Sequence, residues 1–292
     1  MAWASDADDF RDVLIGNIDE FVEGGGYYTG KTLNPLFVRT AWDGLEQALS
    51  FDETGRPVWD VSVLRPSFCS GACYMALLKA LYDWDSAHVI SPEAWKNLKP
   101  YTVEGSAWPV QSDGEGCWGR ANANGPGFAV LAARLGAGEN AYIGNRNEYA
   151  NATAYWNAWG NVRRGDFLKI FWNGYIGADS AHSESGHMVL FLGRQYATLN
   201  GRRDDIITYW SSNGSGTKID GGYGVSTCRA SKIYRAVRTR ITDPAAFDRA
   251  KELPPLARDS WLCALESSYR GSVAQLKTAI SGGVVEWTWN PD

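Results

Sequence analysis

The run Arg65-Pro66-Ser67-Phe68-Cys69-Ser70-Gly71 leads straight into a long amphipathic stretch. Cys69, Ala72, Cys73, Ala76, Leu77, Ala80 and Trp84 recur at helical spacing, which predicts a helix with one buried face. Pro66 and Ser67 are start signals, with Ser67 in the N-cap position. The Cys69 thiol then falls in the first helical turn. Unsatisfied backbone N–H groups and the positive end of the helix dipole favour thiolate over thiol there. Cysteine acyl-transfer enzymes place their nucleophile in this way.

The first half of the chain carries further helical signals. Asp8 to Val22 is amphipathic through Phe10, Val13, Leu14, Ile18 and Phe21, and Gly24-Gly25-Gly26 is read as its stop. Phe37 to Leu49 and Gly127 to Leu135 read as helices, and Ser91-Pro92-Glu93 opens a short one. The second half switches to strand signals over Asp166 to Trp172, His187 to Leu192, Asp205 to Asn213 and Lys232 to Ile241. Asn173-Gly174, Asn200-Gly201, Asn213-Gly214 and Gly221-Gly222 read as the turns between them. Beyond Pro244 the pattern is helical again. Helices followed by an antiparallel meander predict an α+β fold.

The 292 residues, 45% hydrophobic and 21% charged, are those of a folded globule. A net charge of −5 argues against a nucleic-acid partner, because no basic excess is present to neutralise phosphates. No stretch reaches the roughly 18–20 apolar residues of a membrane span. The N-terminal run lacks the basic and apolar regions of a secretory signal. The five cysteines are Cys69, Cys73, Cys117, Cys228 and Cys263, without a CxxC pair, which removes a zinc-ribbon reading. If Cys69 is a free nucleophile, the other four are available for two disulfides in an oxidising compartment. Alternatively, all are reduced and buried as small hydrophobes. The 14 tryptophans are ordinary packing or, in part, flat surfaces for sugar or peptide, with Trp118, Trp156 and Trp210 as the substrate-binding candidates.

A nucleophilic cysteine needs a base, and the base needs an orienting group. Of the three histidines, His88 reads as a surface-loop residue and His182 lies in a polar run. His187 stands at the mouth of the apolar strand that continues through Met188 to Gly193, which holds it rigidly at a cleft. In Ile207-Thr208-Tyr209-Trp210-Ser211-Ser212-Asn213, alternation puts Ser211 and Asn213 on one face near the strand end. Either can accept from the imidazole N–H, Asn213 with the longer reach. The competing reading of Asn213-Gly214 is a turn and nothing more.

Cys69-Ser70-Gly71 at a helix start, Arg164-Gly165-Asp166-Phe167-Leu168 on a strand, then Gly186-His187-Met188-Val189 running to Phe191-Leu192-Gly193, resemble the NlpC/P60 superfamily in that order. This is the papain-like group of cell-wall cysteine peptidases and amidases that includes the CHAP amidases. The resemblance covers about residues 65–215. It implies Cys69 as nucleophile, His187 as base and a polar third member on the next strand. Phe68 stands where the family has an acidic residue, and Ser211 where CHAP members have one. The long gap between Cys69 and His187 requires an insertion at about 85–160, which carries Trp108, Trp118, Trp156 and Trp159.

Together with the helical signals at both ends, the resemblance gives a catalytic domain over 61–243, a helical region over 1–60 and a helical extension over 244–292. The Cys helix would pack on a small antiparallel sheet, with helical additions at both ends. It implies hydrolysis of amide bonds in peptidoglycan stem peptides through a thioester, without cofactor or metal, by a secreted or periplasmic protein. An inhibitor or immunity protein would be its partner if it acts as a toxin. The alternatives are a transglutaminase-like or protein-processing cysteine peptidase, and a non-catalytic wall- or glycan-binding module on the same fold. A metalloenzyme built on Asp179, His182, Glu184 and His187 fits no HExxH spacing.

Overall fold

The computed structural model describes residues 6–101, 116–122, 126–177, 185–253, 259–266 and 269–285. Its strands, in chain order, are β1 (Gly24–Tyr28), β2 (Leu49–Phe51), β3 (Pro57–Trp59), β4 (Gly138–Ile143), β5 (Phe167–Phe171), β6 (Gly186–Gln195), β7 (Thr198–Leu199), β8 (Arg202–Arg203), β9 (Ile206–Asn213), β10 (Thr217–Arg229) and β11 (Arg235–Ile241). The helices are α1 (Asp6–Asn17), α2 (Ala41–Gln47), α3 (Cys69–Trp84), α4 (Pro92–Leu98), α5 (Gly116–Asn122), α6 (Gly127–Leu135), α7 (Ala152–Gly160), α8 (Ser260–Glu266) and α9 (Val273–Ile280). Seven strands form one sheet in the order β1-β10-β9-β6-β5-β11-β4, and every neighbouring pair is antiparallel. The fold is α+β.

Alternation along the central strands loads both faces of the sheet. On β6, Met188 and Leu190 enter the cluster around α1 and α3, whereas Val189 and Phe191 enter the one that holds Tyr155, Trp156 and Trp159 of α7. A third cluster joins α6, α8 and α9 to Phe171 and Val237. A sheet buried on both faces has strands that read as nearly continuous apolar runs, which is how Phe167–Phe171 and Met188–Phe191 look in the sequence. Among the described residues no helix is long and apolar enough to cross a membrane.

Local signals explain most helix ends. Ser91 Oγ accepts from the Ala94 N–H, with Pro92 in the first helical position of α4. α2 starts later than its apolar pattern suggests, at Ala41, because Thr40 and Asp43 form a reciprocal capping box.

The sequence reading misplaces three pieces of the sheet. Gly24-Gly25-Gly26, expected to stop a helix, opens the edge strand β1, and α1 ends earlier, at Asn17. The residues expected as an N-terminal helical region thus contribute a strand to the sheet. Gly221-Gly222, expected as a turn, lies inside β10, whose first part pairs with β1 and whose last part pairs with β9. β4, half-exposed along most of its length, gave no period-two signal and closes the other edge of the sheet.

The glycines are needed because backbones approach closely where β1 meets β10. Gly222 has φ +111°, and a Cβ there would sit 2.0 Å from the Gly24 carbonyl oxygen. A Cβ on Gly26 (φ +89°) would sit 2.4 Å from a Phe37 ring carbon. Gly222→Ala is therefore expected to destabilise the protein by at least ~2 kcal/mol, through backbone strain and displacement of β1. Urea unfolding checks it; an unchanged midpoint would show that β1 can shift at no cost.

Candidate active site

α3 begins at Cys69, with Phe68 in extended conformation as its N-cap and no side chain capping it. Ser67 does not serve as the cap. Its hydroxyl donates to Ser212 Oγ at 2.8 Å, and its backbone pairs with β1 through Ser67 N–H to Gly26 O and Tyr28 N–H to Ser67 O, both 3.0 Å. The first N–H groups of α3 are thus left without a side-chain acceptor, and that end of the helix is available to an anion. Beside it, the Ser70 hydroxyl bonds the Asn122 amide oxygen of α5.

Cys69 is half-buried, and its thiol is hydrogen-bonded to His187. Burial pushes the thiol pKa up, but other effects outweigh it. The His187 hydrogen bond and charge, the Met188 backbone N–H and the nearby Lys169 bring it down to about 7. His187 is the second residue of β6 and only 8% exposed. Its ring meets Tyr209 edge-on, with centroids 5.7 Å apart.

His187 Nε2 lies 3.2 Å from Asn213 Oδ1. The amide of Asn213 has one orientation that satisfies it. Nδ2 donates to Gly224 O at 2.8 Å and Ser211 O at 3.3 Å, so the oxygen must face the imidazole. Nε2 therefore carries the proton in the neutral ring, and Nδ1 is left for the thiol. Ser211, the other candidate for this position, is fully buried. Its hydroxyl donates to Met188 O at 2.7 Å and bonds the Cys73 thiol, not the imidazole.

Tyr27 is a member of this group that the sequence reading did not select. It is 7% exposed, and its hydroxyl is hydrogen-bonded to Cys69. Burial first, then the Cys69 charge and hydrogen bond, push its pKa up, so it stays a donor at any working pH. The only trace in the sequence is an aromatic pair after three glycines. Lys169 was also missed, although a lysine inside Phe167-Leu168-Lys169-Ile170-Phe171 interrupts an apolar strand.

The three tryptophans expected to bind substrate do not gather at Cys69. Trp118 is fully buried against Phe68, Tyr74 and Trp42. Trp210 stacks on Tyr223, with rings 5.6 Å apart and 11° from parallel, and meets Phe21 edge-on. Trp156 belongs to the cluster on the other face of the sheet. His88 is exposed and bonds Arg56. Asp179, His182, Glu184 and Trp108 lie outside the described residues. Among the described residues, no group of three or more His, Cys, Asp or Glu side chains could hold a metal ion.

The other cysteines differ from Cys69 in kind. None of the five is in a disulfide. Burial pushes Cys117 and Cys228 up to about 12, and burial together with the Cys69 charge pushes Cys73 up. No family model, no curated protein and no solved structure matches the chain.

Cys69 should consequently be the first thiol alkylated by iodoacetamide, with a rate that is half-maximal near pH 7 and falls about tenfold per pH unit below that. His187→Ala should move the midpoint up, to or beyond the ordinary thiol value of about 8.5, because burial is then opposed only by the Met188 N–H and Lys169. Peptide mass mapping of a pH series reads both. Faster labelling of Cys73, Cys117 or Cys228 would contradict the electrostatic account.

Proposed function

We propose that the protein is a papain-like cysteine hydrolase of the NlpC/P60 type that cleaves amide bonds in peptidoglycan stem peptides. The observation that supports the chemistry is one arrangement: a thiol at a helix N-terminus, hydrogen-bonded to an imidazole that is itself held by an amide oxygen. Nucleophile, base and orienter occur together in the order the reaction requires. The peptidoglycan substrate, and with it a secreted or periplasmic location, rests on the ordered likeness of the Cys69, Asp166 and His187 segments to that superfamily.

The reaction would run in two halves, acylation of sulfur and hydrolysis of the thioester. With the proton on His187 Nδ1, the Cys69 thiolate attacks the amide carbonyl carbon. The developing oxyanion sits at the start of α3, where the Cys69 N–H donates and the Tyr27 hydroxyl is within reach. His187 then gives its proton to the departing amine, and the acyl group remains on sulfur as a thioester. Water attacks that thioester, His187 takes the water proton, and the acid leaves with Cys69 restored. Asn213 holds the ring so that Nδ1 keeps facing sulfur through both halves.

Mass analysis of muropeptides after incubation tests the reading. The wild-type protein should release amide-cleaved fragments and Cys69→Ala none. Intact muropeptides with both forms would sink the substrate assignment. A hydroxamate formed in the presence of hydroxylamine would still report a thioester and point to another peptide or acyl acceptor.

Asn213→Ala should lower kcat by ~10–100-fold, less than the ~10⁴-fold that follows loss of a buried carboxylate in a serine triad, because a neutral orienter only fixes tautomer and angle. Ser211→Ala should leave the pH profile of kcat unchanged. A reversed pattern would move the third role to Ser211.

A further inference from the structure

A cleft of ≈ 270 Å³ lies at the far end of β9 from Asn213, against the face of the sheet that carries α7. At ~3.3 Å per residue, the length of β9 separates it from the His187 end by roughly 20–25 Å. Its floor is apolar, with Trp156, Tyr155 and Ile233, and Arg146, Arg202 and Arg203 stand around it.

The three arginines are not equivalent. Arg203 is locked in place. Its Nε and Nη2 bond the fully buried Asp205 at 2.8 and 2.7 Å, and its guanidinium lies 4.4 Å from the Trp156 ring centre and 5.2 Å from that of Tyr196. Arg146 and Arg202 are exposed and pair with no carboxylate among the described residues.

The local acids are already occupied. Asp205 also meets Arg194 at 3.4 Å. Asp204 accepts from the Ser231 N–H and hydroxyl, both at 2.8 Å, and lies 3.8 Å from Arg229. The cleft lining therefore holds one carboxylate, Asp204, already engaged by Ser231 and Arg229, and two exposed guanidinium groups, Arg146 and Arg202, with no carboxylate paired to them among the described residues. Trp156 Nε1, on a residue that lines the cleft, is a buried donor with no acceptor among the described residues, as are the indoles of Trp59, Trp118, Trp159 and Trp261 away from it.

We propose that this cleft is a second binding site, for a ligand with a flat apolar body and one anionic group. The ring would lie on the apolar floor, and the anion would sit between Arg146 and Arg202, whose planar donors suit carboxylate or phosphate. Nothing in this depends on the hydrolase reading; the two sites are at opposite ends of β9.

Titration calorimetry on the intact protein tests it with four probes: AMP and indole-3-acetate, and their neutral counterparts adenosine and indole-3-acetamide. At least one anion should bind, at least tenfold more tightly than its neutral counterpart, and more weakly as salt screens the rim. AMP as the tighter anion assigns the site to phosphate-bearing ligands, and indole-3-acetate to aromatic carboxylates. The double variant Arg146→Glu/Arg202→Glu should weaken that binding at least tenfold. It should leave the Cys69 alkylation rate unchanged, which certifies that it folds. No heat from either anion up to about 10 mM, equal affinity for charged and neutral probes, or full binding by a folded double variant would each overturn the proposal.

Discussion

Two backbone hydrogen bonds between Ser67 and β1 join the start of the central helix to the edge of the sheet. They lie just ahead of the first turn of α3, whose Cys69 thiol is hydrogen-bonded to His187 at the end of β6. They also explain why the cap is not the serine. A side-chain cap from Ser67 would need its hydroxyl turned toward the helix, whereas that hydroxyl is used by Ser212. The same junction swings Tyr27 beside Cys69, since Tyr27 and Ser67 lie opposite each other across it. Phe68, with no capping group, is left to pack on Trp42 and Trp118.

The site works by a contest between burial and polar contacts. Desolvation alone would hold Cys69 as a thiol, as it holds Cys73 one turn later on the same helix. The difference is position. Cys69 reaches His187, the Met188 N–H and the field of Lys169, and Cys73 has only Ser211. The Gly165-Asp166 pair lies away from the thiol. The Asp166 carboxylate takes a bidentate contact from Arg240 and the Arg163 N–H, and so ties the start of β5 to β11.

The tryptophans divide along the same line between local chemistry and assembly. Trp118, Trp159 and Trp261 are fully buried and fill the interior. Trp156 lines the cleft at the far end of β9, with the Arg203 guanidinium beside its ring. An aromatic-rich composition therefore does not tell which rings fill the interior and which line a cleft.

Local pattern determined a good deal. The apolar face of α3, the limits of α6, the cap of α4 and the positions of β5, β6 and β9 follow from periodicity and capping chemistry that act within a few residues, whereas the cap read at Ser67 does not form. The choice of His187 over His88 followed from its place at the mouth of an apolar strand. Alternation offered both Ser211 and Asn213, and only the tertiary structure separated them. Met188 O and the Cys73 thiol claim Ser211, while Gly224 O turns the Asn213 amide so that its oxygen faces the ring. β1 and the long β10 were illegible because their glycines answer to backbones distant in the chain, not to local propensity. Tyr27 was hidden for the same reason: its partnership with Cys69 exists only once Ser67 is paired to that edge strand, a contact no spacing records.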